Sequence, residues 1–310
     1  MRRPFFCVTK EEPFAMNPTR LHPECMKCLI NKYMLVAPEG TPRATEMAYV
    51  HRFLSILAAA SDECSAPVLL RQINDLRYEL YGQQEDFGDI KRRFNALMLT
   101  QEGWMNGQIE TADDPLLCAV RFAMIGNYID FGAQNRVDED QLRALLSDPD
   151  LIALHLKALE DFRQDVRTMK RMVYLTDNCG EIVADKLLIR AIRRLNPSAE
   201  IVAIVRGMDV LNDATMEDAQ QVRLADEARV MGNGTRIAGT WLPAISPEAR
   251  ALIEGADVIV SKGQANFETL CSCGLNVYYL FLCKCDLFAK RFDVPKLTGL
   301  MLRDSELGEL

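Results

Sequence analysis

A chain of 310 residues, 49% hydrophobic and 26% charged, is long enough for one large domain or two ordinary ones, and a composition this close to the globular average excludes a disordered or fibrous class. A formal net charge of −8 and a pI near 5.1 argue against a nucleic-acid surface, which wants a basic stripe. No run of about 18 apolar residues is present to span a bilayer, and the start, Met1 to Cys7, lacks the apolar stretch of a signal peptide.

From about Pro42 to Arg171 apolar residues recur at helical spacing, first Met47, Val50, Leu54 and Leu57, then Leu69, Ile73, Leu76 and Leu80, so helices dominate this half. Asp114-Pro115 opens a further helix with a cap followed by proline, continuing from Leu116 to Ile129. Ser147-Asp148-Pro149-Asp150 breaks the pattern before one more expected helix, Leu151 to Met169. After Arg171 the texture changes to short runs rich in Val, Ile and Tyr at 172–175, 201–205, 257–260 and 277–282, which read as buried strands. Amphipathic stretches at 181–195, 214–228 and 247–254 separate them. The alternation predicts an α/β domain over residues 171–310 with a mostly parallel sheet covered on both faces, after a helical domain over residues 1–170.

Polar clusters follow the strands. Thr176-Asp177-Asn178-Cys179-Gly180-Glu181 follows the first, Arg206-Gly207 and then Asn212-Asp213-Ala214-Thr215 the second, and Ser261-Lys262-Gly263-Gln264-Ala265-Asn266-Phe267-Glu268 the third. In open α/β sheets the carboxyl ends of the strands share one edge, where ligands bind, so these clusters are expected to converge. The carboxylates of Asp177 and Asp213 with the amide oxygen of Asn178 suit a hard cation such as magnesium or manganese. Lys262 adds a point charge for a phosphate, and helix starts after Asn178 and Gly263 add backbone N–H groups. Each residue also has a plain structural reading. Asn178 with Glu181 is close to a capping box, Thr215 with Asp218 is a looser one, and Asp213 suits a turn.

The strings Tyr174–Glu181, Leu211–Asp218 and Ser261–Glu268, with Gly126-Asn127-Tyr128-Ile129-Asp130-Phe131-Gly132 and Cys25-Met26-Lys27-Cys28, resemble the damage-control phosphatases, and most closely their CxxC-bearing microbial subfamily. The resemblance implies a Rossmann-like three-layer α/β/α domain behind a helical region. It implies metal-supported hydrolysis of small phosphorylated metabolites, sugar phosphates included, with magnesium, manganese, cobalt or nickel. The metal would be held by Asp177, Asn178 and Asp213, with Asp177, Asp213 and Lys262 catalytic. Asn127 and Asp130 would reach the substrate from the helical side, with Glu181, Gly263 and Asn266 as further substrate contacts. Cys179 stands where the family more often has alanine and Ala265 where glycine is common. No counterpart of a second family lysine is read near Leu282-Cys283-Lys284-Cys285-Asp286.

The ten cysteines, Cys118 and Cys283 among them in apolar contexts, fit free thiols in a reducing cytoplasm better than a disulfide framework. Cys25 and Cys28 make at most half a zinc site, with His22, Cys271, Cys273, Cys283 and Cys285 as possible completions, so a zinc-binding or redox module is one alternative function. The other is an S-adenosylmethionine-dependent carboxyl methyltransferase, against which the single glycine of Asp177–Glu181 counts. His51 and His155 fall in helical patterns and have no expected chemical role. Neither a nucleic acid nor a membrane is an expected partner.

Overall fold

The computed structural model describes residues 21–61, 64–82, 86–130 and 137–309; Cys7, Phe131 and Gly132 lie outside them. Three helices come first, α1 (Pro23–Tyr33), α2 (Arg43–Ala58) and α3 (Ala66–Tyr81), around a core of their own built on Leu29, Tyr49, Phe53, Leu57, Leu69, Ile73 and Leu76. In α2 the inward stripe is Tyr49, Phe53 and Leu57, whereas Met47 and Leu54 are 45% and 43% exposed. The two aromatic rings bury more surface than the aliphatic pair, and that sets the rotation of the helix.

Next come α4 (Gly88–Thr111), α5 (Pro115–Gly126) and α6 (Glu139–Ser147). Asp114 caps α5 as its sequence suggests, accepting a hydrogen bond from Leu117 N at 3.2 Å. The single helix expected over Leu151–Met169 is replaced by a 3-10 turn at Pro149–Leu151, a short strand β1 (Leu154–His155) and α7 (Leu159–Thr168). Leu154 and His155 pair in parallel with Gly299 and Leu300, so sheet pairing wins over a spacing that also suited a helix. His155 is thus an exposed strand residue, and His51 is exposed on α2.

Strands and helices then alternate as β2 (Arg171–Leu175), α8 (Glu181–Leu195), β3 (Glu200–Val205), α9 (Met216–Gln221), β4 (Arg229–Gly232), α10 (Pro247–Glu254), β5 (Val258–Lys262), α11 (Gln264–Leu270), β6 (Val277–Leu282), α12 (Asp286–Phe292) and β7 (Gly299–Arg303). Among the described residues they form a seven-stranded sheet of order β1-β7-β6-β5-β2-β3-β4, parallel except for the β6–β7 pair. The Val/Ile/Tyr runs all became strands. β4 and β7 were not expected, because Gly299-Leu300-Met301-Leu302-Arg303 carries no β-branched residue and Arg229-Val230-Met231-Gly232 only one.

Side chains alternate across the sheet with period two. Met172, Tyr174, Val258 and Val260 face a core shared with α4, α5, α7 and α8, while Val173, Leu175, Ile259 and Phe281 face α10, α11 and α12. The change of texture near residue 170 is therefore no break in packing. The helices α4 to α7 belong to one outer layer of the α/β/α sandwich, and α1 to α3 alone keep a separate core. β2 is followed by β3 on one side and has β5 on the other, so the direction of winding reverses between β2 and β5. That is where an open α/β sheet parts to admit a ligand.

Candidate active site

The turn after β2 and the loop after β3 are stitched together. Ala214 N donates to Asp177 O at 2.7 Å, Cys179 N to Asn212 O at 2.8 Å, and Asn178 faces Asp213 in an isolated antiparallel bridge. Leu211, held at a φ of 47°, turns the chain sharply just before this contact. The result brings Asp177, Asn178 and Asp213, all nearly buried, to one place at the carboxyl edge.

Arg206, the residue immediately after β3, lies behind the two carboxylates. Its Nε donates to Asp213 Oδ2 at 2.6 Å and its Nη2 to Asp177 Oδ1 at 3.4 Å. A single guanidinium does not offset the crowding. Burial first, then repulsion from Glu181 and Asp213, holds the Asp177 carboxyl well above its usual range. Burial pushes Asp213 up to about 6 in spite of Arg206. Two carboxyl groups whose ionisation is held back chiefly by burial, next to the amide of Asn178, are a donor set that fits a hard divalent cation.

Gly263 follows β5 directly across the switch point. Its φ is +81°, and a Cβ built there would lie 1.9 Å from Asp177 Oδ2, so only glycine lets the Asp177 carboxylate take its position. The Gly263 amide is committed to the sheet, donating to Leu280 O at 3.0 Å, and offers no anion contact. Asn266 is fully buried, with Nδ2 donating to Thr176 O at 3.0 Å and Lys262 O at 2.6 Å. It ties the turns after β2 and β5 together and does not face the pocket.

Lys262 is not at the pocket either. Within β5 it shares the parity of Val258 and Val260, so its side chain runs into the layer of α5 and α8. It is 0% exposed, and Nζ donates to Glu181 Oε1 at 2.6 Å, Asp185 Oδ1 at 2.8 Å and Ala123 O at 2.9 Å. Burial alone would push this ammonium down, but Asp185 and Glu181 outweigh it and hold the lysine above its ordinary value. Burial pushes Asp185 up to about 7, opposed by Lys262. Glu181, also 0% exposed, accepts from Asn178 Nδ2 at 3.0 Å and from Asn127 Nδ2 at 2.9 Å. Asn127 caps the end of α5, donates to Asp177 Oδ2 at 3.2 Å and accepts from Leu282 N at 2.9 Å. Lys262, Glu181 and Asn127 thus form a buried, hydrogen-bonded scaffold beneath Asp177 and Asn178.

The cavity above measures about 510 Å³ and is walled by α1, the start of α3 and the carboxyl edge of the sheet. Asp177, Asn178, Asp213 and Asp130 line it, and so does Lys284, which donates from Nζ to Asp130 Oδ2 at 2.7 Å. A lysine of the kind read as missing after β6 is therefore present in the pocket, two residues beyond Leu282. Its signal in the sequence was the one used for Lys262: a cation just past the end of a strand. Arg206, directly after β3, carries the same signal. Asp185 could have been found as the residue one helical turn beyond Glu181. The capping reading of Thr215 and Asp218 is realised in full, since Asp218 Oδ2 accepts from Thr215 N at 2.8 Å and from Thr215 Oγ1 at 2.9 Å.

A doubly wound α/β sandwich with an acidic, lysine-bearing pocket at its switch point is an architecture suited to phosphoester chemistry, and comparison with known proteins gives the class. A family model described as the damage-control phosphatase ARMT1-like domain matches residues 21–298. The chain is 31% identical over 284 residues to a damage-control phosphatase of Archaeoglobus fulgidus, covering 89% of this chain and 96% of the relative. It is 29% identical to a damage-control phosphatase of Pyrococcus horikoshii, covering 91% and 97%. The crystal structure of a DUF89 family protein from Pyrococcus horikoshii superposes with a TM-score of 0.74 at 25% identity, covering 92% of this chain and 99% of that one. The chain belongs to the damage-control phosphatase ARMT1-like family, and it is an enzyme that hydrolyses phosphoesters. No helix among the described residues is long and apolar enough to cross a membrane.

Proposed function

We propose that this enzyme is a divalent-cation-dependent phosphomonoesterase of small phosphorylated metabolites such as sugar phosphates, with Asp177, Asn178 and Asp213 as the cation's protein ligands. The observation that carries the reading is their convergence at the β2/β5 switch point, at the floor of a cavity that also presents Lys284. About 510 Å³ is the size of a small-molecule site. A magnesium, manganese, cobalt or nickel ion bound there would polarise a phosphoryl oxygen and lower the pKa of a water ligand. The protein's own contributions are positional. Arg206 orients Asp177 and Asp213 from behind, and Gly263 leaves room for Asp177. The Lys262–Glu181–Asn127 scaffold fixes Asn178. Lys284 exchanges its partner Asp130 for a phosphate oxygen and so binds the anion as a point charge. Asp130 then faces the rest of the substrate.

The working compartment is the cytoplasm. The nine described cysteines, all free thiols, support that reading. The names of the matched relatives give a methyl-transfer reading no support. The test is a panel of phosphorylated metabolites assayed for phosphate release with each of the four metals and with a chelator. Release that needs metal is the expected result. No release from any compound with any metal, or methyl transfer from S-adenosylmethionine in chelator, would overturn the proposal.

A further inference from the structure

The cysteine pair Cys25/Cys28 plays no part in this chemistry, yet it lies against the pocket. Both thiols come from the first turn and a half of α1 and line the cavity, and Cys285, from the segment after β6, joins them there. Cys28 is exposed, while Cys25 and Cys285 are half-buried. Burial, and next the charge of Glu268 on α11, pushes Cys25 up to about 12, with Cys285 and Cys28 adding in the same direction, so the three sulfurs and one carboxylate share one electrostatic neighbourhood. Cys25 and Cys28, three residues apart near the start of α1, have the Cys-x-x-Cys spacing found in thiol–disulfide exchange sites.

We infer that Cys25 and Cys28 form a thiol-modification site on the pocket rim that takes small-molecule disulfides and closes an internal disulfide. Cys28 is the accessible thiol and reacts first. Its sulfur bonds to one sulfur of the incoming disulfide and the other leaves as a thiolate. Cys25 then bonds to the Cys28 sulfur and expels the second thiolate. Two protein thiols are oxidised by two electrons, one disulfide is reduced to two thiols, and the two protons pass to the leaving groups. The pair is three residues apart on one helical face, with Cβ atoms about 5–6 Å apart in a regular helix against about 3.5–4.5 Å in a disulfide. Closure bends the first turn of α1, which is held by the N-cap residue His22, with Cys25 N donating to His22 O at 2.8 Å and Glu24 N to His22 Nδ1 at 3.1 Å, and not by a preceding helical turn.

Closure pulls on the wall that holds the pocket's cation. Cys25 lines the same cavity as Cys285, the residue that follows Lys284, and Glu268, on the helix that follows Gly263. This coupling rests on the phosphatase reading, whereas the disulfide itself does not. A displacement of the order of 1 Å near reacting groups can cost up to about a hundredfold, so oxidation should lower kcat/KM by at least about threefold.

The experiment treats the full chain with glutathione disulfide, traps remaining thiols by alkylation and maps them by mass spectrometry, alongside kcat/KM on p-nitrophenyl phosphate with manganese. A Cys25–Cys28 disulfide, reversed by dithiothreitol together with the loss of kcat/KM, is the expected result. In Cys28→Ser the ratio of oxidised to reduced kcat/KM should return to one, and in Cys25→Ser Cys28 should stop as a glutathione adduct. Mapping is read out even if the protein releases no phosphate, which separates failure of this proposal from failure of the phosphatase reading. Cys25 and Cys28 still alkylated in full, or a Cys25–Cys28 disulfide without change in kcat/KM, would overturn the inference.

Discussion

Replacing Lys262 by methionine separates a structural lysine from a phosphate-binding one. Methionine keeps much of the volume and removes the ammonium, which leaves Glu181 and Asp185 facing each other at 0% exposure, with Asp185 Oδ2 already lacking a hydrogen-bond partner. Breaking a buried ion pair by deleting one partner costs about 3–5 kcal/mol. Typical domains are stable by about 5–15 kcal/mol, so this is a large share of the total. The loss should grow with pH, because the abandoned carboxyls can fold at low cost only when protonated. Asp185 is held up to about 7 even with the lysine in place. Urea unfolding followed by circular dichroism at pH 6 and pH 8 measures it, as a midpoint shift at constant slope. Lys262→Met/Asp185→Asn should regain part of the loss by removing one of the two stranded charges. If Lys262→Met unfolds within about 0.5 kcal/mol of the parent at pH 8 and yet has lost activity, the lysine serves the substrate and the buried-scaffold argument fails.

Gly263→Ala should be the most damaging small substitution at the site: backbone strain of about 1–3 kcal/mol adds to the displacement of Asp177, so activity should fall far more than circular dichroism changes. An active, equally stable alanine variant would contradict the close approach. Lys284→Gln should cost about 1.5–3 kcal/mol of transition-state binding, at least tenfold in kcat/KM, while the melting temperature moves little; unchanged kinetics would remove Lys284 from the phosphate site. In chelator, stability should fall as pH rises from 5 to 7.5. Burial raises Asp213 to about 6 and Asp185 to about 7 from an ordinary value of 3.8, and a carboxyl raised on folding favours the folded state at low pH and loses that favour as pH passes its folded pKa. Melting temperatures that climb steadily across this interval would refute it.

The legible part of the molecule was the part written in local chemistry. Val173, Ile204 and Val260 announce buried strands by β-branching, Asp114-Pro115 announces a helix start, and Asp177, Asn178 and Asp213 announce a site by following strands that must end on one edge. What stayed hidden depends on direction and partners. Whether Lys262 turns toward the pocket or into the core is decided by one step of strand parity, and the strand ends at Lys262 itself, not before it. Asn127 and Asp130 looked equivalent at a spacing of three, but the helix stops at Gly126, and the two part company: one is buried under Asp177, the other meets Lys284. β1 was invisible because two residues, Leu154 and His155, gain strand character only from Gly299 and Leu300, far along the chain.

The central claim is that Asp177, Asn178 and Asp213 hold a cation on which hydrolysis depends, and calorimetric titration of metal-free protein with manganese, beside phosphate release over the same concentrations, tests it most directly. One ion should bind to the parent, activity should saturate with the same constant, and Asp213→Asn should weaken both by at least about tenfold while staying folded. Manganese binding undiminished in Asp213→Asn, or full phosphate release by the parent in chelator, would contradict it.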